Sequence, residues 1–381
     1  MTIPRLPLEG LLVADFSRVL AGPYAAMTLG DLGADVIKVE RPGTGDDTRG
    51  WGPPWTNDGT ATYFLGLNRN KRSITLDLSN SDDQALAVEL ARRADVLVEN
   101  FRPGTFERYG LGYEQLRPIN PGLVYCSITG FGAVTAEAAE MSGYDLMVQA
   151  MSGLMSITGS PDGQPIKVGV ALVDHICALQ STIGIMAALA SRASTGLGQR
   201  VEVSLLGSAL AALLNQGSAF VNVGVVGARL GNRHPSIAPY QNFQASDSWF
   251  VLACGNDTQF VQVCAAIGQP ELAADPRFST NTQRVVNVET LDELLSAAFV
   301  QRPIEHWNAK FIELGVPSGP INNIDQAFST ATRLGLDPVE EFGRQRFVRS
   351  PIRLSETSPS VRNPAPALGE HSQEIRDWLL S

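Results

Sequence analysis

Residues 11–40, LLVADFSRVLAGPYAAMTLGDLGADVIKVE, decide the fold class of this chain. The short apolar run at residues 11–16 predicts a buried strand, and residues 36–40 predict a second one. Between them, residues 24–32 predict a helix that Gly33 ends. Strand, helix and strand in this order predict a βαβ unit, in which the two strands are parallel and the crossover is right-handed.

The same alternation continues beyond this unit and predicts an α/β sheet with helices on its faces. Further strands are predicted at residues 73–78, 95–99, 123–128, 166–173 and 201–205, with helices at 81–94 and 175–192 and an apolar helix that ends at Leu214. A chain of 381 residues is longer than one ordinary domain, so two lobes are expected.

The pattern changes after Gly224, where a loop rich in Gly, Pro, Arg and Asn spans residues 227–239. After this loop the sequence predicts a smaller lobe, with a hairpin at residues 242–254, helices at 258–267, 285–299 and 304–314, and a final helix of the chain at 372–380. We place the large domain at residues 1–223 and 326–381 and the small domain at residues 224–325.

A dinucleotide cofactor is disfavoured, although Glu40 ends the second strand where a ribose-binding acid would lie. The loop between strand and helix, Arg18-Val19-Leu20-Ala21-Gly22-Pro23, lacks the glycine fingerprint that the pyrophosphate requires.

Charge and composition argue against several classes of binding partner. A net charge of −10 argues against nucleic-acid binding, because the chain lacks the positive field that phosphate backbones select. The four cysteines form no close pair and the four histidines are not spaced for metal, so we expect no metal and a cytoplasmic protein. The N-terminus has no signal pattern, and the most apolar stretches predict buried core, so we expect no membrane partner.

Asp174 is the first candidate for chemistry, at the predicted junction between the strand at residues 166–173 and the following helix. Such a residue is commonly a helix N-cap. The same position would keep the carboxylate ionised, through the helix dipole and backbone N–H groups, and ready to attack a thioester carbonyl. Residue spacing does not choose between these two readings. The adjacent His175 is expected to be packed or exposed, since it points about 100° away on a helix.

Five cationic residues lie at predicted strand ends or in the loops that follow, where ligands of open α/β sheets bind. They suit phosphate groups, with solvated surface charge as the alternative for each one. They are Arg41, Lys71, Arg72, Arg102 and Arg108.

Several ordered motifs resemble the family III CoA transferases over nearly the full chain. This family includes formyl-CoA transferase, carnitine CoA transferase and the α-methylacyl-CoA racemases. The motifs are DFSRVLAGP at residues 15–23, LGADVIKVE at 32–40, NKRS at 70–73, ENFRPG at 99–104 and TGLGQ at 195–199.

The resemblance implies CoA transfer between carboxylic acids, with Asp174 as the nucleophile and acyl-CoA and a carboxylic acid as substrates. It implies a Rossmann-like large domain built from both chain ends, a smaller α+β domain, and an interlocked, ring-like homodimer. The residues implied to contact CoA are Leu20, Ala21, Arg41, Leu76, Asn100, Phe101, Arg102 and Arg108, and we add Asp145 to them.

Tyr144 separates two activities within the family. The racemases carry a histidine in the motif that reads Gly143-Tyr144-Asp145-Leu146 here, and it pairs with the aspartate as a second base. A tyrosine with an ordinary pKa near 10 is a poor base at neutral pH, so transfer is favoured and Tyr144 joins Asp174 as a catalytic candidate. A 2-methylacyl-CoA racemase and a non-catalytic CoA-binding protein are the alternatives. The glycine run of formyl-CoA transferase is missing here. Its absence favours a substrate acid that differs from the formate and oxalate of that enzyme and is larger.

Overall fold

The structure is a computed structural model and describes residues 5–381. Its contacts divide these residues into two compact units. The larger unit comprises the residues through Leu154 together with Lys167–Val226 and Asp337–Ser381, and the smaller comprises Met155–Ile166 and Gly227–Leu336. The main boundaries therefore fall at Val226 and Leu336, whereas the sequence placed them at residues 223 and 325.

A six-stranded parallel sheet forms the centre of the larger unit, which confirms the predicted α/β class. The spatial order of its strands is β3-β2-β1-β4-β5-β6, the order of a doubly wound sheet, in which the strand order reverses between β1 and β4 while all strands stay parallel. The strands are β1 (Leu12–Asp15), β2 (Asp35–Glu40), β3 (Lys71–Thr75), β4 (Val96–Glu99), β5 (Val124–Thr129) and β6 (Arg200–Ser204).

Helices cover both faces of this sheet, because its central strands are buried on both sides and must be shielded from water. The helices of this part of the larger unit are α1 (Ala21–Asp31), α2 (Thr62–Asn68), α3 (Ser81–Arg93), α4 (Thr105–Arg108), α5 (Tyr113–Leu116), α6 (Ala136–Glu140), α7 (Asp145–Met151), α8 (Leu172–Thr195), α9 (Leu205–Ala212) and α10 (Leu214–Val223). The core on one face includes α1 and α8, and the core on the other includes α3.

The smaller unit contains a three-stranded antiparallel sheet in the order β7-β8-β9, which includes the predicted hairpin. Its core is rich in phenylalanine, and Phe299 contacts four other aromatic rings. The elements are β7 (Tyr240–Gln244), β8 (Trp249–Ala253), α11 (Asp257–Ala266), α12 (Asn281–Val286), α13 (Val288–Phe299), α14 (Ile304–Glu313), β9 (Ser318–Pro320) and α15 (Ile324–Arg333).

The end of the chain belongs to the larger unit. A hairpin that the sequence analysis did not predict is formed by β10 (Val339–Phe342) and β11 (Gln345–Val348). The predicted final helix is α16 (Ser372–Leu380), and it buries Ile375 and Leu379 in the same core as α3.

The predicted strand at residues 166–173 is wrong. These residues form no strand in the structure, and α8 already begins at Leu172. Ile166 and Val170 are more than half exposed, so the alternating apolar pattern does not reflect burial in a sheet. By length and composition α8 is the one helix of the described residues that is able to cross a membrane. In the structure it packs on α1, α9 and β6.

Candidate active site

A cleft lies at the carboxyl ends of β1, β4 and β5, where ligands bind in doubly wound sheets. It encloses about 150 Å³, and Asp174 from the first turn of α8 contributes to its wall. The structure brings seven of the predicted site residues to this cleft. They are Leu20, Ala21, Asn100, Phe101, Arg102, Tyr144 and Asp174.

Asp174 is not the N-cap of its helix, so the helix-cap interpretation of its position was wrong. The N-cap is Ala171, and the backbone N–H groups of Val173 and Asp174 donate to Oδ1 of Asp145, at 2.8 and 3.2 Å. These donors are therefore not available to stabilise the charge of Asp174 itself. Burial, and then the neighbouring charge of Asp145, raise the pKa of Asp174 to about 7.

Other titratable groups surround this carboxyl group. Tyr63 of α2 has a raised pKa because of burial and then the charges of Asp174 and Asp145. His175 packs edge-on against Tyr24 at 4.7 Å between ring centroids, and burial lowers its pKa. As expected, His175 is therefore a packed residue. Tyr144 precedes α7, is 60% exposed and lines the cleft.

The loop after β1 is fixed to the sheet by buried charges. Lys38 donates to Oδ2 of Asp46 at 2.9 Å and to the carbonyl oxygen of Ser17 at 3.0 Å. Oδ1 of Asp46 accepts the backbone N–H of Val19 at 3.3 Å, and Val19 has a φ of 70°, which a β-branched residue rarely adopts. Buried charges thus hold a strained residue on the wall of the cleft.

Lys71 is not a phosphate ligand, and it is not a surface charge either. Its side chain is completely buried, and its Nζ donates to Asp15, to Asn68 and to the carbonyl oxygen of Pro23. Burial lowers the pKa of Lys71 to about 8 despite the charge of Asp15 beside it. The sequence could not reveal this burial. The next residue, Arg72, is partly exposed, and nothing in the local sequence distinguishes the two cations.

Arginine side chains line the cleft and the surface beside it. Arg18 pairs with Asp47 at 3.2 Å, and Arg102 donates to Oγ of Ser142 at 3.0 Å. Both amide atoms of Asn100 bond to the backbone of Arg18, at 2.9 and 2.7 Å, so Asn100 also shapes the loop after β1. Arg18 and Asp47 were not predicted, because no spacing rule marks them.

The remaining predicted CoA contacts lie outside the cleft. Arg108 and Arg102 share a shallow depression of about 400 Å³, and Arg41 lies with Phe101 in a separate one of about 110 Å³. Arg72 is engaged with Asp35 and Glu374.

Two further predicted contacts, Leu76 and Asp145, are not among the residues that line the cleft. Leu76 is 2% exposed because it packs in the core under α3. Both carboxylate oxygens of Asp145 already accept hydrogen bonds.

The described residues contain no cluster of three or more His, Cys, Asp or Glu side chains that could hold a metal ion. The four cysteines are buried free thiols.

Comparison with known proteins places this geometry in a family. The profile described as CoA-transferase family III matches residues 8–372. Succinyl-CoA:glutarate CoA-transferase of Mus musculus is 43% identical, over 98% of this chain and 86% of that protein. Acetyl-CoA:oxalate CoA-transferase of Acetobacter aceti is 42% identical, over 98% of this chain and 96% of that protein. The crystal structure of a CAIB/BAIF family protein from Brucella suis has a TM-score of 0.88 and 43% identity, covering 99% of this chain and all of that one. The chain therefore belongs to CoA-transferase family III.

Proposed function

We propose that this enzyme moves coenzyme A from an acyl-CoA to a carboxylic acid, with Asp174 as the covalent nucleophile. The observation that carries this proposal is a half-buried carboxyl group with a raised pKa on the wall of a cleft at the carboxyl ends of a doubly wound sheet. Family membership supports the reaction class, since the relatives compared are named for CoA transfer between acids. The resemblance of the sequence motifs to the family III CoA transferases supports a covalent mechanism through Asp174.

The reaction proceeds by acyl exchange at this carboxylate. A carboxylate oxygen of Asp174 attacks the thioester carbonyl of the donor, and the carbon–sulfur bond breaks to release CoA thiolate and leave a mixed anhydride. The thiolate attacks the aspartyl carbonyl carbon of the anhydride, which releases the donor acid and leaves an aspartyl-CoA thioester. The acceptor carboxylate attacks the aspartyl carbonyl carbon of this thioester, and the carbon–sulfur bond breaks to release CoA thiolate and leave a second mixed anhydride. The thiolate then attacks the acceptor's own carbonyl carbon, which forms the new acyl-CoA and releases Asp174 as a carboxylate.

The raised pKa of Asp174 suits both halves of this exchange. A carboxylate with a pKa near 7 is a stronger nucleophile toward a thioester than an ordinary aspartate. It is still a far better leaving group than a thiolate or an alkoxide, so the anhydride remains reactive.

CoA phosphates are proposed to contact Arg102, Arg108 and Arg41. All three are at least partly exposed, and they lie in or beside the loops that follow β4 and β2. Guanidinium groups bind phosphate oxygens in a bidentate manner. Leu20 and Ala21 are then proposed to contact the CoA portion nearest the cleft, together with Asn100 and Phe101, which line the same cleft.

The acids themselves are proposed from the relatives. Succinate, glutarate and oxalate in the names of those proteins are dicarboxylic acids, so we propose a short dicarboxylic acid as donor or acceptor. A panel of acyl-CoAs tested against a panel of acids, with products identified by mass spectrometry, measures this preference.

The covalent step is tested by trapping. Wild-type enzyme turning over a confirmed substrate pair is treated with hydroxylamine or borohydride, and the peptide that contains Asp174 is analysed by mass spectrometry. We expect modification of Asp174 in the presence of acyl-CoA, and none in Asp174→Asn. An unmodified Asp174 during confirmed turnover contradicts the proposal. Deuterium incorporation at the α-carbon in D₂O, without any acceptor acid, would instead indicate the racemase reaction.

A homodimer is proposed as well, with the interlocked form that the resemblance implies. Support comes from apolar side chains that the larger unit leaves exposed on α8 and α10, where a monomer would normally be polar. They are Leu179, Ile183, Met186, Phe220 and Val221. Sedimentation velocity is expected to give twice the mass of one chain. A stable monomer contradicts the homodimer. A cytoplasmic location stays a prediction.

A further inference from the structure

Asp145, the first residue of α7, caps the helix that carries the proposed nucleophile. Its Oδ1 accepts hydrogen bonds from the backbone N–H groups of Val173 and Asp174, and its Oδ2 accepts one of 2.6 Å from Nε2 of Gln149. A carboxylate that lies 29 residues away in the sequence therefore does what an N-cap residue usually does locally.

Gln149 extends this connection to the segment that leads into α8. Its side chain is completely buried, and its Oε1 accepts the backbone N–H of Val168 at 2.9 Å. Asp145 and Gln149 stand four residues apart and so lie on the same side of α7. Together they fix both ends of residues 168–174, of which residues 168–171 have no regular secondary structure.

This arrangement has an electrostatic consequence for Asp174. A carboxylate at the start of a helix is normally stabilised by the N–H groups of the first turn. Here Asp145 occupies two of these donors and adds a second negative charge nearby. The raised pKa of Asp174 agrees with this geometry, with burial as its first cause and the charge of Asp145 as its second.

The other groups around Asp174 belong to several elements. Tyr24 of α1 and Tyr63 of α2 are both neutral at physiological pH, since burial raises the pKa of each. His175 and Cys177 share α8 with Asp174; burial lowers the pKa of His175 and raises that of Cys177. Arg18, Asp47, Arg102 and Tyr144 line the same cleft. Asp145 is the charged group whose carboxylate bonds directly to the turn that carries Asp174.

We propose that Asp145 is a positioning residue for the nucleophile: it fixes the turn that carries Asp174 and withholds from that carboxylate the backbone donors that would stabilise its charge. This inference rests on the proposed function, because it assigns Asp174 the role of nucleophile. Asp145 thereby makes Asp174 more basic and more nucleophilic than a capped carboxylate. This role differs from the CoA contact that the sequence analysis assigned to Asp145.

The decisive variant is Asp145→Asn, which removes the charge and retains a carbonyl oxygen able to accept from Val173 and Asp174. The readout is the pH profile of kcat/KM for CoA transfer, measured by mass spectrometry of the acyl-CoA product. We expect the acid limb to move to lower pH by about one unit. At a pH well below the wild-type limb, kcat/KM of the variant as a fraction of its own plateau should then be about tenfold higher than that of the wild type. We also expect a lower plateau, because Asp174 becomes a weaker nucleophile.

Gln149→Leu is the matched control, since it breaks the bonds to Val168 and Asp145 without changing any charge. It is expected to lower kcat and leave the acid limb in place. Asp145→Glu restores the charge, and its limb is expected to lie closer to that of the wild type. If the limb of Asp145→Asn coincides with that of the wild type, or if Gln149→Leu moves it equally, the proposed role of Asp145 is wrong.

A second measurement keeps the test independent of turnover. The pKa of Asp174 is followed directly in the unliganded protein by NMR of ¹³C-labelled aspartate carboxyl groups, with Asp174→Asn to assign the signal. A lower pKa of Asp174 in folded Asp145→Asn supports the inference even if that variant is inactive, and an unchanged pKa overturns it. If trapping fails in the wild type while this pKa does fall, the proposed nucleophile is wrong and the coupling between the two carboxyl groups stands.

Discussion

Gly130 and Gly143 approach each other so closely that neither has room for a side chain. A Cβ atom on Gly130 would lie 2.4 Å from Cα of Gly143, and one on Gly143 would lie 2.3 Å from Cα of Gly130. The obstacle is backbone on both sides, which cannot rotate away as a side chain can. This contact joins the loop after β5 to the segment that enters α7, and so it sets the position of Tyr144 and Asp145.

Gly143→Ala is therefore expected to displace the start of α7 and to impair the site. We expect a loss of stability of about 1–3 kcal/mol, typical of overpacking, and a fall in kcat/KM of at least about tenfold because Asp145 moves with the helix. Gly66→Ala is the control, since a Cβ at this position in α2 meets nothing within 4 Å. That control is expected to be stabilised slightly by helix propensity and to remain active. Thermal unfolding and steady-state kinetics of both variants make the comparison, and wild-type kinetics in Gly143→Ala would contradict the expectation.

The pKa of Asp174 predicts how activity depends on pH. The nucleophile must be ionised, so kcat/KM is expected to fall about tenfold for each pH unit below an apparent pKa of about 7, and to be flat above it. An ordinary aspartate would place this limb near pH 4. A profile that is flat from pH 5 to 8, with the chemical step rate-limiting, would show that Asp174 is ionised throughout and contradict the raised pKa.

The same shift predicts the opposite trend for stability. Between pH 4 and 7 the folded protein retains a proton on Asp174 that the unfolded chain has lost, so this residue lowers the stability increasingly as pH rises through that window. Asp174→Asn should remove the penalty and raise the free energy of unfolding at pH 8, by about 1–4 kcal/mol. At pH 4 the two proteins should be equally stable. Denaturant unfolding at both pH values tests this, and a variant that is less stable than the wild type at pH 8 contradicts it.

Lys38 and Asp46 supply a prediction about the wall of the cleft. Their side chains are at most 1% exposed, so removing one partner leaves the other buried without the counter-charge that it bonds to. Lys38→Met is expected to cost about 3–5 kcal/mol of stability and to release the loop that contains Val19. Lys38→Met combined with Asp46→Leu should recover part of that stability, because no isolated charge remains. If the double variant is as unstable as the sum of the single variants, the two charges are not coupled as the structure indicates.

The sequence predicted all six strands of the parallel sheet and one strand that does not form, and it was insufficient for the electrostatics of the site. Apolar runs such as residues 11–16 predicted strands correctly because those strands are buried on both faces. Residues 166–173 are also mostly apolar and have β-branched residues at alternate positions, yet they form no strand in the structure. The pattern alone contains no information about whether a partner strand is present.

Long-range contacts explain the other differences. Asp174 looked like a helix cap because local sequence marks it so, whereas the actual capping group is Asp145, 29 residues earlier. Lys71 was a candidate for a phosphate ligand or a surface cation, and only the fold brings it against Asp15, 56 residues away. In both cases the residue type was noticed and its partner was not, because sequence spacing does not encode contacts between distant elements.

Arg284 supplies a prediction for the smaller unit. Its guanidinium group is completely buried and donates to Asp257 at 2.7 Å and to the carbonyl oxygens of Ala238 and Phe278, at 2.7 and 2.9 Å. Arg284→Met leaves these acceptors unpaired in the core, so we expect a loss of about 3–5 kcal/mol. Arg284→Lys should rescue little, because an ammonium group cannot reach three acceptors arranged around a planar fork.

The matched control is Arg277→Ala, because Arg277 is exposed and pairs with Asp275 at the surface, where removal of an ion pair has little effect. Hydrogen exchange should then show faster opening of residues 227–336 in Arg284→Met and not in Arg277→Ala. The six-stranded sheet should keep its protection, since no hydrogen bond of Arg284 in the structure reaches the larger unit. Equal acceleration across both units would show instead that the two unfold as one cooperative body, and that Arg284 stabilises more than its own neighbourhood.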